Sequence, residues 1–214
     1  MSAQDSDWFE PLYADALAQG DPGQIPWALM EVTPYLQDWL EQAAPESTGR
    51  SAVVVACGLG DDAEALANYG FEVTAFDISA TAIAWCQQRF PNSSVHYQVA
   101  DLFQLPPDWR YRFDLVYDFR TIQALPVDIR PEVIEQIAAL AAPGGTALIA
   151  TYIRQSETPP DSAPWPLTLA ELAHFEALGL EVVRQDRFVN RDSRFRDRVR
   201  VEYRVPQAVG TASR

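Results

Sequence analysis

Ala52-Val53-Val54-Val55-Ala56-Cys57-Gly58-Leu59-Gly60-Asp61-Asp62 is the stretch that decides the fold. Its continuous apolar run, rich in β-branched residues, has no polar alternation, as in a strand buried on both faces of a parallel sheet. Glycines follow at once, then acidic residues that open a short helix stopping at Gly70. A strand that passes through a glycine turn into a helix lets backbone approach a nucleotide-like ligand closely. Gly58-Leu59-Gly60-Asp61-Asp62-Ala63 also fits the G-x-G-x-x-A dinucleotide pattern, a weak signal by itself.

Downstream, the same alternation continues. Residues 71–76, 95–100, 113–117, 146–152, 180–189 and 199–205 read as strands. Ser79 caps a helix over 80–90 that Pro91 ends, and residues 131–142 form a helix stopped by Pro143-Gly144-Gly145. Thr168-Leu169-Ala170-Glu171 is a capping box for a helix running to Gly179. Upstream, Trp8, Phe9, Leu12, Tyr13, Ala16 and Leu17 recur at helical spacing until Gly20-Asp21-Pro22-Gly23. Thr33 then caps a second helix with Pro34 at its first position. Strands alternating with helices predict a doubly wound α/β fold with a mostly parallel seven-stranded sheet. The last two strands lack an intervening helix, so one of them is expected to be antiparallel. Residues 1–48 are read as N-terminal helices, 49–206 as the core, and 207–214 as a flexible tail. Residues 158–166, with four prolines, are read as an ordered surface loop.

Composition narrows the class. The 214 residues are 48% hydrophobic and 21% charged, enough to build a core. No apolar run approaches the roughly 20 residues of a membrane helix, and the N-terminus lacks a signal-peptide pattern. A cytoplasmic protein is expected, with a monomer as the simplest state. A formal charge of −14 disfavours nucleic acid as a partner. All 16 bases are arginine, and eight of them fall between Arg184 and Arg204, which reads as a solvated β-hairpin. Cys57, Cys86, His96 and His174 are too scattered for a zinc site, so no metal is expected.

Polar residues cluster at predicted strand ends. Asp77 follows the second strand, where a carboxylate accepts from ribose hydroxyls in both NAD and S-adenosylmethionine (SAM) proteins. Asp101-Leu102 follows the third, where an acid can accept from an adenine amino group. Asp118 and Arg120 close the fourth. Adjacent parallel strands bring these ends into one crevice at the carboxyl edge of the sheet.

In that order, the Gly58/Gly60 turn, Asp77, Asp101-Leu102, Phe113-Asp114-Leu115-Val116 and Pro143-Gly144-Gly145 resemble the core of class I SAM-dependent methyltransferases. Trp8 to Tyr13, Pro26-Trp27, Pro34-Tyr35-Leu36, Trp39-Leu40, Ala124-Leu125-Pro126 and Arg130 extend the resemblance. They are similar to thiopurine methyltransferase-like and tellurite-resistance-type enzymes. The resemblance implies a Rossmann-like methyltransferase fold, SAM as cofactor, and a small acceptor such as a thiol or other soft nucleophile. It implies N-terminal helices lying over the cofactor, with Trp27 near the sulfonium, where an aromatic face suits a cation. The implied cofactor set is Trp27, Ala56, Cys57, Gly58, Gly60, Asp77, Ile78, Asp101, Leu102 and Asp118. Arg120 and Tyr152 are the substrate candidates. Three positions depart from the pattern: Ala56 replaces the first glycine, Val54 stands where most class I enzymes have an acid, and Phe119 stands where this family often has arginine, with Arg120 one place later.

Methyl transfer needs a nucleophile held roughly 3 Å from the methyl carbon and shielded from water. A thiolate needs no general base; an oxygen or nitrogen acceptor benefits from one, and Asp118, Tyr152 and His174 are the candidates. Two alternatives remain open: a non-catalytic SAM-fold binding protein, whose crevice would be plugged or inert, and an NAD(P)-dependent oxidoreductase. Acceptor specificity is expected in the N-terminal helices, the 158–166 loop and the terminal hairpin.

Overall fold

The computed structural model describes residues 8–43, 45–189 and 197–207. Seven strands form one sheet: β1 (Ser51–Val55), β2 (Glu72–Asp77), β3 (His96–Val99), β4 (Phe113–Phe119), β5 (Ala141–Tyr152), β6 (Glu181–Val189) and β7 (Asp197–Arg204). Their order is β3-β2-β1-β4-β5-β7-β6. The first five are parallel, and β7 is antiparallel to both β5 and β6. The chain-terminal strand therefore lies inside the sheet, with β6 at the edge. The chain order reverses on either side of β1, so β1 and β4 flank the switch point where ligands bind in such sheets.

Both faces are covered, as the apolar β1 run requires. Val53, Val55, Val116 and Ile149 face one core, which is shared with α5 (Thr121–Ala124), α6 (Arg130–Ala138) and α8 (His174–Ala177). Ala52, Val54, Leu115 and Leu148 face the other, shared with α2 (Pro34–Ala43) and α3 (Asp61–Tyr69). A third cluster joins Tyr13 and Ala16 of α1 (Phe9–Gln19) to Ala82 and Trp85 of α4 (Ala80–Arg89). The expected caps form: Ser79 Oγ accepts from the Ala82 amide, and Thr168 with Glu171 makes a complete capping box. That box opens α7 (Leu169–Leu172), and α8 follows directly.

Two expectations need correction. The helix over 131–142 ends at Ala138, and Pro143-Gly144-Gly145 lies inside β5, not at a helix stop. Strand pairing resumes at Ala141 opposite Phe113, and the next pair is Leu115 with Thr146. The extra residues bulge out, and only glycine fits at 145, where a Cβ would meet Ala142 O at 2.8 Å and Phe113 O at 2.9 Å. The terminal hairpin is also not simply solvated. Arg200 is 1% exposed; it donates to the Tyr35 carbonyl and pairs with Asp38 and Asp186. Trp39 Nε1 donates to Glu202 of the same strand. Opposite charges and hydrogen bonds thus lock α2 onto β7. The expected tail, beyond Gln207, lies outside the described residues, as do residues 190–196 of the hairpin.

Candidate functional site

A cavity of about 490 Å³ opens at the carboxyl edge of the sheet, within the usual range for a small-ligand site. The turn after β1 forms its floor. Ala56 and Gly58 both have positive φ, and Gly60 caps α3 in the left-handed region. Packing enforces glycine at 60: an added Cβ would lie 2.6 Å from Tyr97 Oη and 3.1 Å from Cys86 Sγ.

Asp77 closes β2 and is 5% exposed. One oxygen accepts from the Gly58 amide and the other from the Ser79 amide, each at 3.0 Å. Burial pushes its carboxyl up to about 6, against the pull of these amides and that of Ile78. Each carboxylate oxygen keeps a lone pair for a further donor. Ile78 and Leu102 add apolar surface to the same wall. Asp101 lines the cavity too, but both its oxygens serve its own turn, accepting from the Phe103 amide and the Gln104 side chain.

The roof is aromatic. Trp27 meets Trp8, Phe9 and Tyr13 edge to face, and its Nε1 donates to Tyr13 Oη at 2.7 Å. Glu10 ties α1 down by accepting from the Ser79 hydroxyl at 2.6 Å and from the Thr81 hydroxyl and amide. The sequence flagged Trp27 but missed Glu10 and Tyr13, whose partners are about 70 and 14 residues away.

A second missed group is the Thr33, Asp62 and Tyr117 network. The Thr33 amide donates to Asp62, and its hydroxyl shares a hydrogen bond with Tyr117 Oη, both at 2.7 Å. All three line the cavity. Gln123 is a third: its side-chain oxygen accepts from the Thr151 hydroxyl and the Tyr152 amide, and its carbonyl accepts from Trp165. That bond draws the 158–166 loop inward, so Ala163 and Pro164 reach the cavity instead of staying at the surface.

Trp27, Ala56, Cys57, Gly58, Gly60, Asp77, Ile78, Asp101, Leu102, Arg120 and Tyr152 are brought together around this one cavity. Asp118 is not. Register pairs it with Val55, and it points into the packed face, 0% exposed, outside the cavity lining. Neither carboxylate oxygen has a well-formed hydrogen bond. Burial pushes its carboxyl up to about 7, with the Thr121 hydroxyl and the Thr121 and Ile122 amides only partly opposing. His174 sits on α8, 3.6 Å from Glu135, and is also outside the lining. Of the three general-base candidates, only Tyr152 reaches the cavity.

The chain resembles known methyltransferases. It is 29% identical over 179 residues to the thiopurine S-methyltransferase of Vibrio vulnificus, covering 75% of this chain and 79% of that protein. It is 31% identical over 129 residues to a probable thiol methyltransferase of Arabidopsis thaliana, covering 58% of this chain. It spans only about half that plant relative's length, 55%. In fold it matches the Burkholderia thailandensis 1,6-didemethyltoxoflavin-N1-methyltransferase, solved with its substrate and S-adenosylhomocysteine. There the TM-score is 0.70 at 19% identity, over 97% of this chain and 92% of that one. The family model for thiopurine S-methyltransferase matches residues 19–205, nearly the whole of the sheet and its helices. The chain belongs to the thiopurine S-methyltransferase family.

Proposed function

We propose that this protein is a SAM-dependent methyltransferase acting on a small-molecule acceptor, with a thiol or another soft nucleophile as the reacting group. The observation that carries the reading is the convergence of the Gly58 turn, Asp77, Asp101-Leu102 and Trp27 on one open cavity in a member of this family. The residues fit the cofactor. Asp77 offers free lone pairs to a ribose, Ile78 and Leu102 offer apolar surface to a flat base, and Trp27 offers an aromatic wall to a sulfonium. The open cavity argues against the plugged crevice of a non-catalytic relative.

SAM, when bound, supplies a methyl group already activated for in-line displacement. The protein's share is binding, alignment and exclusion of water. Ala56, Cys57, Gly58 and Gly60 bring backbone to the amino-acid and ribose end. Asp77 would hold the ribose and Leu102 would flank the base, with Asp101, whose oxygens each already brace its own turn, offering a remaining lone pair to the base's amino group. Trp27, Tyr13 and Phe9 shut water out from above. A thiol acceptor can release its proton to solvent, so this reading requires no general base. Arg120 and Tyr152 stand where the acceptor enters. We further propose residues 1–48 as a cover over a core of residues 49–206, and a cytoplasmic monomer. Among the described residues, no helix is long and apolar enough to cross a membrane.

Parallel calorimetric titrations with SAM, S-adenosylhomocysteine and NAD test the reading. Both adenosyl ligands should bind and NAD should not. Binding of NAD alone would establish the oxidoreductase reading in its place.

A further inference from the structure

Gln123 keeps a hydrogen-bond donor in the wall of the cavity that none of the described residues uses. It sits in the short helix α5, between the core residues Ile122 and Leu125, and is itself 2% exposed. A buried carboxamide needs partners at both ends. Its oxygen has two, accepting from the Thr151 hydroxyl at 2.9 Å and from the Tyr152 amide at 2.8 Å. A main-chain N–H can only donate, so the atom facing Tyr152 is the oxygen, and the NH2 turns the other way. Among the described residues, nothing accepts from that NH2. Unlike the carboxylate oxygens of Asp118, it is not sealed inside protein, and the little surface that Gln123 keeps belongs to the cavity it lines.

Other neutral polar groups of the cavity are spent on one another. The Trp27 indole donates to Tyr13, and the Thr33 and Tyr117 hydroxyls share a hydrogen bond. The direction of the Gln123 side chain is also fixed. Two hydrogen bonds hold its oxygen to the end of β5, and its main-chain carbonyl accepts from the Trp165 amide at 2.7 Å. That last bond keeps Ala163 and Pro164 in the cavity wall. A donor held this way loses little rotamer freedom when a ligand arrives. Ala124, Leu125, Ala163 and Pro164 offer the same cavity only apolar side chains. A ligand that displaces water from this wall must satisfy the NH2 or leave a donor unpaired.

We propose that Gln123 determines acceptor specificity: its side-chain NH2 donates to an oxygen of the methyl acceptor, a carbonyl above all, and selects acceptors that carry one. This rests on the methyltransferase reading above. Placement assigns the donor to the acceptor and not to the cofactor. Gln123 is tied to β5 and to the 158–166 loop, whereas the Gly58 turn, Asp77 and Asp101 follow β1, β2 and β3 on the other side of β4. The chemistry suits an uncharged group. A neutral amide reads a neutral oxygen and needs no anion to enter a chain of charge −14. A site built to donate to an oxygen rejects the analogue without one, because the donor is then left buried and unpaired.

The test uses the full chain, saturated with S-adenosylhomocysteine, in calorimetric titrations at pH 7 under reducing conditions. The probes are the three ring isomers of acetylbenzyl thiol, each paired with the ethylbenzyl thiol of the same substitution. Members of a pair match in size and in the thiol, and differ by a carbonyl oxygen. At least one acetyl isomer should bind about tenfold more tightly than its ethyl partner. Gln123→Met should abolish that preference. Gln123→Glu, which keeps an oxygen for Tyr152 and replaces the NH2, should reduce it. Both variants should bind S-adenosylhomocysteine as wild type does. No preference in any pair, no binding of any probe, or a preference that survives Gln123→Met overturns the proposal. A loss of tenfold or more in S-adenosylhomocysteine affinity in both variants assigns Gln123 to the cofactor or to the fold and also overturns it. Failure of wild type to bind S-adenosylhomocysteine is a different result, which defeats the methyltransferase reading itself.

Discussion

The Gly58 amide donates to the Asp77 carboxylate across 3.0 Å, joining the turn after β1 to the end of β2. Asp77 therefore organises the turn as well as facing the cavity. Its carboxyl, raised by burial to about 6, accepts most strongly from a ribose when ionised. Affinity for S-adenosylhomocysteine should be flat above pH 7 and fall below pH 6. Asp77→Asn should bind at least about tenfold more weakly at pH 8 and lose this pH dependence. A calorimetric series in which the variant keeps the wild-type profile would remove Asp77 from cofactor binding.

Asp118 makes a different prediction because it faces packed side chains. Its proton stays on in the folded chain between its ordinary value of 3.8 and about 7, while the unfolded chain has already lost it. The folded state binds more protons in that window, so this group makes stability fall as pH rises. Asp118→Asn should stabilise the protein relative to wild type, increasingly from pH 5 to pH 8, by on the order of a few kcal/mol at the upper end. Urea unfolding at the two pH values measures this. An equal effect at both would show that the carboxyl is ionised throughout.

Glu10 anchors α1 through the Ser79 and Thr81 hydroxyls and the Thr81 amide. Glu10→Ala should cost about 1–2 kcal/mol of stability and raise hydrogen exchange in α1 before that in the sheet. It should also speed dissociation of S-adenosylhomocysteine, since the same helix carries Tyr13 against Trp27. Uniform exchange across the protein would show that α1 opens only with the whole fold.

Ala56 holds φ 46 where the usual motif has glycine. A side chain in the left-handed region costs about 1 kcal/mol. Ala56→Gly should raise stability by up to that amount, partly offset by the added freedom of the unfolded chain. Thermal unfolding checks the sign, and a clear loss would mean that the Ala56 methyl contributes more packing than strain.

Much of this architecture could be read along the chain because it is local chemistry. The β1 apolar run, the Ser79 and Thr168 caps and the Gly70 stop each depend on residues a few positions apart. Pro143-Gly144-Gly145 reads as a helix stop along the chain, but glycine is required at 145 by the β5 bulge, where the carbonyls of Ala142 and of the distant Phe113 crowd the position.

The candidate site divides in the same way. Gly58, Asp77, Asp101 and Arg120 are legible because a parallel sheet must align the carboxyl ends of its strands. Which face a side chain takes at such an end depends on pleat and packing, so Asp118 and Arg120, two residues apart, meet different surroundings: one enters the core, the other turns through a left-handed residue into the cavity. Sequence alone determined the strand order's raw material, the glycine turn and the acids that follow each strand. Only the tertiary structure decided that Glu10 pins the roof, that Gln123 draws in the proline loop, and that Arg120 and Arg198 both lie against the Tyr152 ring. Those relationships join residues tens of positions apart, and a hydrogen bond or a ring contact exists only once packing has fixed both partners in space.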